Sequence, residues 1–424
     1  MKILLRKVLI ADNTSSFNGL QKDIFLVNGT IASIEDSLST EADIIIEENG
    51  MVVSPGWIDP FAQLSDPGFE YRETIASGAA AAAAGGYTQV FAVPNTSPMV
   101  QSKTQVEYIL SASRHLPTTV LPLGAVTKNI EGKDLAEMYD MHNSGAIAFS
   151  DGLQPVQTSG LLLKALQYVK AFDGVVIQLP IDKSIGTHGL INEGIVSTRL
   201  GLPGIPSIAE EIIIKRDIDL LRYTESKLHI TGVSTAKGIE LIQKAKQEGL
   251  QISSSVTPYH LYFCDENIQQ YDTNLKVPTP LRTKEDRQAL QNAVLNGVVD
   301  CIASHHIPHD IDSKICEFEY AKPGMLGLQT AFAVVHHVLP QLSPAQIAQL
   351  FSVSTRNIFN LPYTIKEGAA AELTLFNLQK ETTLNKQNNK SKSVNSPFFN
   401  ISLKGAVRGI FSKGQLTLNE WNGN

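Results

Sequence analysis

Cysteine is scarce in this chain of 424 residues: Cys264, Cys301 and Cys316 are an odd set with no Cys-x-x-Cys pair. That excludes a disulfide framework and a thiolate zinc site, and it fits a reducing cytoplasm. Positive charge is short as well, with 35 Lys and Arg against 42 Asp and Glu, a formal net charge of −7. No basic excess exists to neutralise phosphates, so nucleic-acid binding is excluded as the main task. Long apolar runs are missing too. No stretch approaches the roughly 20 residues that a spanning helix needs, and the opening MKILLRKVLIADNTSS is interrupted by Arg6, Lys7 and Asp12 and carries no cleavage signal. What is present is ordinary globular composition, 43% hydrophobic and 18% charged, which supplies a large core and excludes disorder as the main state. The expectation is a cytoplasmic protein with neither a membrane nor a nucleic acid among its partners.

The first fifty residues read as short strands, including a hairpin DIFLVNGTIASIED with its turn at Asn28 and Gly29. From Met51 the rhythm changes to apolar strands alternating with helical segments: YTQVFAVPN, TQVEYILSASRHL, TVLPLGAV, KDLAEMYDMHNSG, AIAFSD and onward to VDCIASHH. Strand and helix in alternation predict parallel βαβ units, enough here for a barrel of about eight strands. After Pro362 the text returns to β character, and the two β-rich ends are expected to meet. The expected division is a (β/α)8 TIM-type barrel over residues 53–365 and a small β-sandwich built from 1–52 and 366–424. The polar tract KETTLNKQNNKSKSVN, over residues 380–395, reads as a solvated loop.

In such a barrel the reactive groups follow the apolar strands. The segment from Pro55 to Pro98, PGWIDPFAQLSDPGFEYRETIASGAAAAAAGGYTQVFAVPNTSP, closely resembles the dihydroorotases of the amidohydrolase superfamily. Further likenesses follow in order: AFSDGLQPV, HGLINEGIVSTRLGLPG, KLHITGVSTAKGIELIQKAK, PLRTKEDR and ASHHIPHDIDSK. The resemblance implies the reversible cyclisation of N-carbamoyl-L-aspartate to dihydroorotate in pyrimidine synthesis, with zinc as the metal. It also implies a ligand set of His-x-His after the first barrel strand, a bridging acidic or modified lysine residue, two further histidines and an aspartate after the last strand.

In this chain those positions are largely different. The His-x-His pair falls on Phe61 and Gln63, and a phenyl ring cannot coordinate zinc. The next histidine aligns with Leu179, or with Gln178 after a shift of one residue, the one after with Gly232, and the aspartate with His305. Asp151 matches the acidic ligand of one dihydroorotase branch and is the ligand position that is kept. Among substrate positions the family arginine is Ser65 and an asparagine is Pro278, while Asn95 and His309 match. The expectation is a residual pocket of Asn95, Asp151 and His309 with no catalytic residue, no metal and no cofactor. The likeness to degenerate dihydroorotase-like chains implies a structural partner of aspartate transcarbamoylase that is itself a homo-oligomer. The alternative is an active dihydroorotase, or a related cyclic amidohydrolase, with an atypical metal site.

Plainer roles fit the other conspicuous residues. His305, His306 and His309 read as an inherited, unmetallated loop, and His229 and His260 as core or lip histidines. His229, three residues before Gly232, is expected on the opposite strand face. His336 and His337, neighbours on a helix, face different ways. Gly324 and Gly327 flank the packing residues Met325 and Leu326, the run Ala79 to Ala84 is a close-packing helix, and Trp57 and Trp421 are packing or surface groups.

Overall fold

The computed structural model describes residues 1–419, so Trp421 lies outside the described residues. The chain begins with β1 (Lys2–Ile10), β2 (Gln21–Val27), β3 (Thr30–Glu35), β4 (Ile44–Glu47) and β5 (Met51–Pro55). Asn28 and Gly29 both take positive φ, 49° and 86°, which is the geometry a two-residue hairpin turn between β2 and β3 requires.

After Gly56 the barrel strands follow: β6 (Trp57–Ala62), β7 (Tyr87–Ala92), β8 (Thr119–Gly124), β9 (Ala148–Phe149) and β10 (Val175–Gln178). A short pair, β11 (Ile191–Asn192) and β12 (Gly204–Ile205), interrupts them before β13 (Lys227–Ile230), β14 (Ile252–Val256) and β15 (Cys301–Ile302). The barrel strands pair in chain order from β6 to β15. A parallel bridge between Ala62 and His306 closes the ring. The expected (β/α)8 architecture is the one observed.

Helices follow the strands in turn: α1 (Ile75–Ala84), α2 (Lys103–Ala112), α3 (Met138–Asn143), α4 (Ser159–Lys170), α5 (Ile195–Leu200), α6 (Ile208–Thr224), α7 (Ala236–Gln247), α8 (Pro258–Tyr262), α9 (Lys284–Leu295) and α10 (Ala331–Val338). The alanine run forms α1, started by a Thr74–Ser77 capping box and stopped at Gly85, where a Cβ would stand 2.1 Å from the Leu328 carbonyl oxygen. α3 is shorter than its sequence pattern, because Asp134 and Ala136 pair their backbones with Lys128 and Val126 instead of continuing a helix.

The C-terminal strands β16 (Leu373–Thr383), β17 (Ser402–Ser412) and β18 (Gln415–Leu418) join the N-terminal ones in one sheet, ordered β18-β17-β16-β5-β1-β2-β3 with β4 also on β1. The two ends of the chain therefore meet, around a second core that includes Ile3, Val8, Ile24, Val53, Leu373 and Phe411.

One expectation fails in an informative way. Much of the 380–395 tract is not a solvated loop. The excursion from Leu384 to Asn400 closes on itself through the Asn400 N–H to the Leu384 carbonyl, 2.8 Å, and it lies across the barrel. Ser391, Ser393, Asn395 and Ser396 are buried, and Phe398 packs on Tyr262 and Phe263. The tract is polar because it donates and accepts hydrogen bonds with the loops beneath it. Among the described residues no helix is long and apolar enough to cross a membrane.

Candidate functional site

On β13 and β14 the two faces divide by strict alternation, whereas β6 is irregular between Asp59 and Ala62. Leu228, Ile230, Ile252 and Val256 belong to the core between strands and helices, so the alternating His229, Ser253 and Ser255 face the barrel interior. On the other side of the interior stand Ile58, Phe61, Phe91, Leu123 and Ile177. Half of the barrel axis is thus apolar and half is polar.

The polar half forms a continuous hydrogen-bonded chain. His229 Nδ1 meets Ser253 Oγ at 2.9 Å and its Nε2 meets Ser255 Oγ at 3.0 Å. Ser255 Oγ meets Thr231 Oγ1 at 2.9 Å, and Thr231 Oγ1 meets His305 Nε2 at 2.8 Å. The expected opposite orientation of His229 is therefore corrected: β13 ends at Ile230, strict alternation does not extend to Gly232, and His229 joins His305 through two hydroxyls. Burial pushes both imidazoles down to about 3, so they are neutral. Both His229 nitrogens already have hydroxyl partners.

The mouth of the barrel is built by packing. The rings of Phe61 and His305 lie 4.5 Å apart at 32°. Gly232 has φ 68°, and a Cβ there would stand 2.5 Å from His305 Cε1. The histidine ring fills the space that any side chain at 232 would need. Leu179 is fully buried, Gln63 donates from Nε2 to the Asn95 carbonyl at 3.3 Å, and Gln178 donates to the Val156 carbonyl at 3.0 Å. Ser65 is buried with φ 61°. Pro278 precedes the Thr279 and Pro280 carbonyls that meet His260 Nε2 at 3.0 and 3.3 Å.

The three residues expected to form a residual pocket are each engaged by the chain itself. Asp151 Oδ1 accepts the Val126 and Thr127 N–H groups, both at 2.9 Å, and Oδ2 accepts the Thr127 hydroxyl at 2.5 Å. Burial nevertheless raises its pKa to about 6. Asn95 donates to the Asp151 carbonyl at 3.2 Å and accepts the Leu153 N–H at 3.0 Å. The structure thus brings Asn95 and Asp151 together as a brace for residues 151–153. His309 bonds the Pro323 carbonyl through Nε2 at 3.0 Å, and its backbone N–H donates to Asn395 Oδ1 at 3.0 Å.

Two buried carboxylates escaped sequence reasoning. Asp59 accepts the Ser304 N–H at 2.8 Å and the Ser304 hydroxyl, tying the first strand to the last, and burial raises it to about 7. Glu73 gathers the Ser77 and Ser391 hydroxyls, the Lys392 N–H at 3.1 Å and His306 Nε2 at 3.4 Å. The Gly327 N–H donates to His306 Nδ1 at 3.2 Å, which leaves the proton of that ring on Nε2, facing Glu73. Burial alone would raise Glu73, but the donors outweigh it and hold the carboxyl below its ordinary value. For Glu73 the signal in the sequence was the aromatic pair Phe398 and Phe399 just after the polar tract, since aromatic rings there imply burial of the segment that carries Ser391 and Lys392; Asp59 had no such signal.

Zinc does not fit these residues. Its usual donors are neutral imidazole, thiolate and carboxylate. The positions in question hold a phenyl ring, an amide already bonded, a buried leucine, a glycine and an imidazole packed against both phenyl and glycine. Among the described residues no group of three or more His, Cys, Asp or Glu is gathered as a metal site.

The family described as dihydro-orotase-like matches residues 50–238. A protein named dihydroorotase from Syntrophus aciditrophicus is 38% identical over 99% of this chain and 100% of its own length. Another so named, from Caldanaerobacter subterraneus subsp. tengcongensis, is 38% identical over 98% of this chain and 97% of its own. In fold the chain is similar to the L-hydantoinase of Arthrobacter aurescens, with a TM-score of 0.86, 22% identity, and coverage of 98% of this chain and 96% of that one. With the barrel, the matched segment and relatives of this identity along the full length, the chain belongs to the dihydroorotase family.

Proposed function

We propose that this chain is a non-catalytic member of its family that serves pyrimidine biosynthesis as a structural partner of aspartate transcarbamoylase. The observation that supports the reading best is the packing of Phe61, Gly232 and His305: three positions where the resemblance implies zinc ligands and base hold groups that fill one another's space. The second reading, an active dihydroorotase or related cyclic amidohydrolase with an atypical metal site, has its own support. The full-length relatives carry the name dihydroorotase, and the comparisons taken alone favour this second reading over the first. What weighs against it is chemistry. Opening a cyclic amide needs a group that polarises the carbonyl and a base that activates water. The buried carboxylates Asp59 and Asp151 already accept hydrogen bonds from Ser304, Val126 and Thr127.

The deciding experiment loads the purified chain with zinc, measures bound metal, and assays dihydroorotate hydrolysis beside a chelator-treated sample and Asp151→Ala. The first reading expects no stoichiometric zinc and no turnover above background. Metal-dependent turnover that Asp151→Ala abolishes overturns it in favour of the second.

A further inference from the structure

Among the described residues, a cavity of about 390 Å³ lies between the end of α1, the start of α10, β17 and the first residues of the 384–400 excursion. It shares no residue with the barrel mouth at Phe61, Gly232 and His305, nor with Asn95, Asp151 and His309. Its size falls at the lower end of sites that take small organic molecules, roughly 300 to 1,000 Å³.

The frame of the cavity is fixed by amides whose hydrogen bonds are spent on the chain itself. Gln329 donates to the Asn388 carbonyl at 3.0 Å and accepts the Lys390 N–H at 2.7 Å. Asn388 accepts the Asn385 N–H and donates to the Thr383 carbonyl, both at 2.8 Å. Asn419 donates to the Ala84 and Val407 carbonyls at 2.8 and 3.0 Å. At Gly405, φ 93°, a Cβ would stand 3.0 Å from Phe332 Cε1, so glycine lets β17 close against α10. Walls tied in this way have little freedom left to lose on binding.

The chemistry inside is two-sided. Phe332, Leu384 and Leu403 supply an apolar floor. Facing it are groups that the frame leaves uncommitted among the described residues: the Lys390 ammonium, the Thr382 hydroxyl, the Asn385 amide N–H groups and, as an acceptor, Asn419 Oδ1. Charge is of one sign. Lys390 is the charged residue on the wall, and from Thr382 to Asn419, the stretch that supplies most of the cavity, the chain carries Lys386, Lys390, Lys392, Lys404, Arg408 and Lys413 but no Asp or Glu. Arg408 is paired with Glu48, and Glu381, beside Thr382 on β16, is off the wall and holds the Ser402 hydroxyl at 2.6 Å. One ammonium with amide and hydroxyl donors, and no arginine fork, suits a carboxylate better than a phosphate ester. Donors and an acceptor beside an apolar floor suit a ring that carries amides of its own.

We propose that this cavity binds a small organic carboxylate whose planar ring carries amide groups, with the carboxylate at Lys390 and the ring on Phe332 and Leu403. The site is independent of either reading of the barrel mouth. The test is titration calorimetry of the full chain with uracil-5-carboxylate, beside uracil, which lacks the carboxylate, and benzoate, which lacks the ring amides. Three variants are compared with the unaltered chain. Lys390→Gln removes the charge at an exposed position, Thr382→Trp fills the cavity from a half-buried one, and Lys386→Gln alters an exposed lysine outside the cavity as the control.

The expected result is one equivalent of uracil-5-carboxylate bound at least about tenfold more tightly than uracil or benzoate. Lys390→Gln brings it down to the level of uracil, Thr382→Trp removes saturable binding of all three, and Lys386→Gln changes nothing. No saturable binding by the unaltered chain, or binding that survives Thr382→Trp, overturns the site. A carboxylate preference that Lys390→Gln keeps or Lys386→Gln loses, or benzoate bound as tightly as uracil-5-carboxylate, overturns the ligand class.

Discussion

His305 occupies the most constrained position in the barrel mouth. Its own φ is 44°, Gly232 opposite has φ 68°, and the ring lies between Phe61 and the glycine with Nε2 on Thr231. Residues held in the left-handed region persist where their surroundings fix them, and here the surroundings are a phenyl ring and a missing side chain. The substitutions at 61, 232 and 305 form one packing unit. The sequence makes each change visible singly, but their mutual contact is not visible, because nothing local links positions so far apart in the chain. The pH dependence of stability follows from the same ring. Its folded pKa is about 3 against an ordinary 6.5, so at pH 5 the unfolded chain takes up a proton that the folded chain refuses. Stability from this group is therefore full above the unfolded pKa and is lost as pH falls through 6.5 toward 3. At pH 5 the loss is about 2 kcal/mol relative to pH 7. Asp59 and Asp151, raised to about 7 and about 6, act in the opposite sense over the same range, so the contribution has to be isolated by difference. In His305→Asn, chemical unfolding is expected to lose about 2 kcal/mol less than the unaltered chain on going from pH 7 to pH 5. Parallel pH curves for the two proteins contradict it.

Among the elements, the segment between β16 and β17 departs most from its sequence reading. Its polarity suggested solvent, yet Asn395 donates to the Ile307 and Gly324 carbonyls and accepts the His309 N–H, while Ser391 and Lys392 bond Glu73. Sequence polarity reports that hydrogen bonds are needed and not whether water or protein supplies them. The hairpin at Asn28 and Gly29, by contrast, was legible because its turn chemistry is local. Glu73 is the latch of this segment, which lies as a strap across the barrel. Replacing it by Gln keeps the shape but turns one acceptor into a donor facing hydroxyls and the His306 N–H. Glu73→Gln is expected to cost about 2 to 3 kcal/mol and to speed tryptic cleavage after Lys390 and Lys392 at least about tenfold through local opening. Unchanged cleavage in the variant assigns the strap's anchorage to Asn395 and Phe398 alone.

At the scale of the molecule, barrel and terminal sheet share a seam. Trp57 is fully buried with ring centroids 5.1, 4.9 and 5.2 Å from Phe332, Phe351 and Phe376. Arg356 bonds the Gly56 carbonyl at 2.8 Å and Glu372 at 2.7 Å, across the junction of the two. One hydrophobic core contains Val52 and Phe376 of the sheet together with barrel and helix residues. A seam this apolar couples the two parts, so calorimetry is expected to give a single endotherm with coincident near- and far-ultraviolet transitions. Trp57→Ala, which removes the centre of the seam, is expected to lower stability by about 3 to 5 kcal/mol; two separable endotherms in the unaltered chain contradict the coupling.

The sequence by itself determined the barrel, since the alternation of strand and helix is a short-period pattern that each element carries locally, and it determined which ligand-type side chains are absent at Phe61, Gln63, Leu179 and Gly232. Only the tertiary structure decided what those positions do instead. Asp151 and Asn95 brace a loop, His305 fills the space beside Gly232, and a strap seals against Glu73. The physical reason is separation along the chain: Thr231 and His305 are 74 residues apart and Glu73 and Ser391 are 318 apart, and such pairings exist only once the barrel has closed.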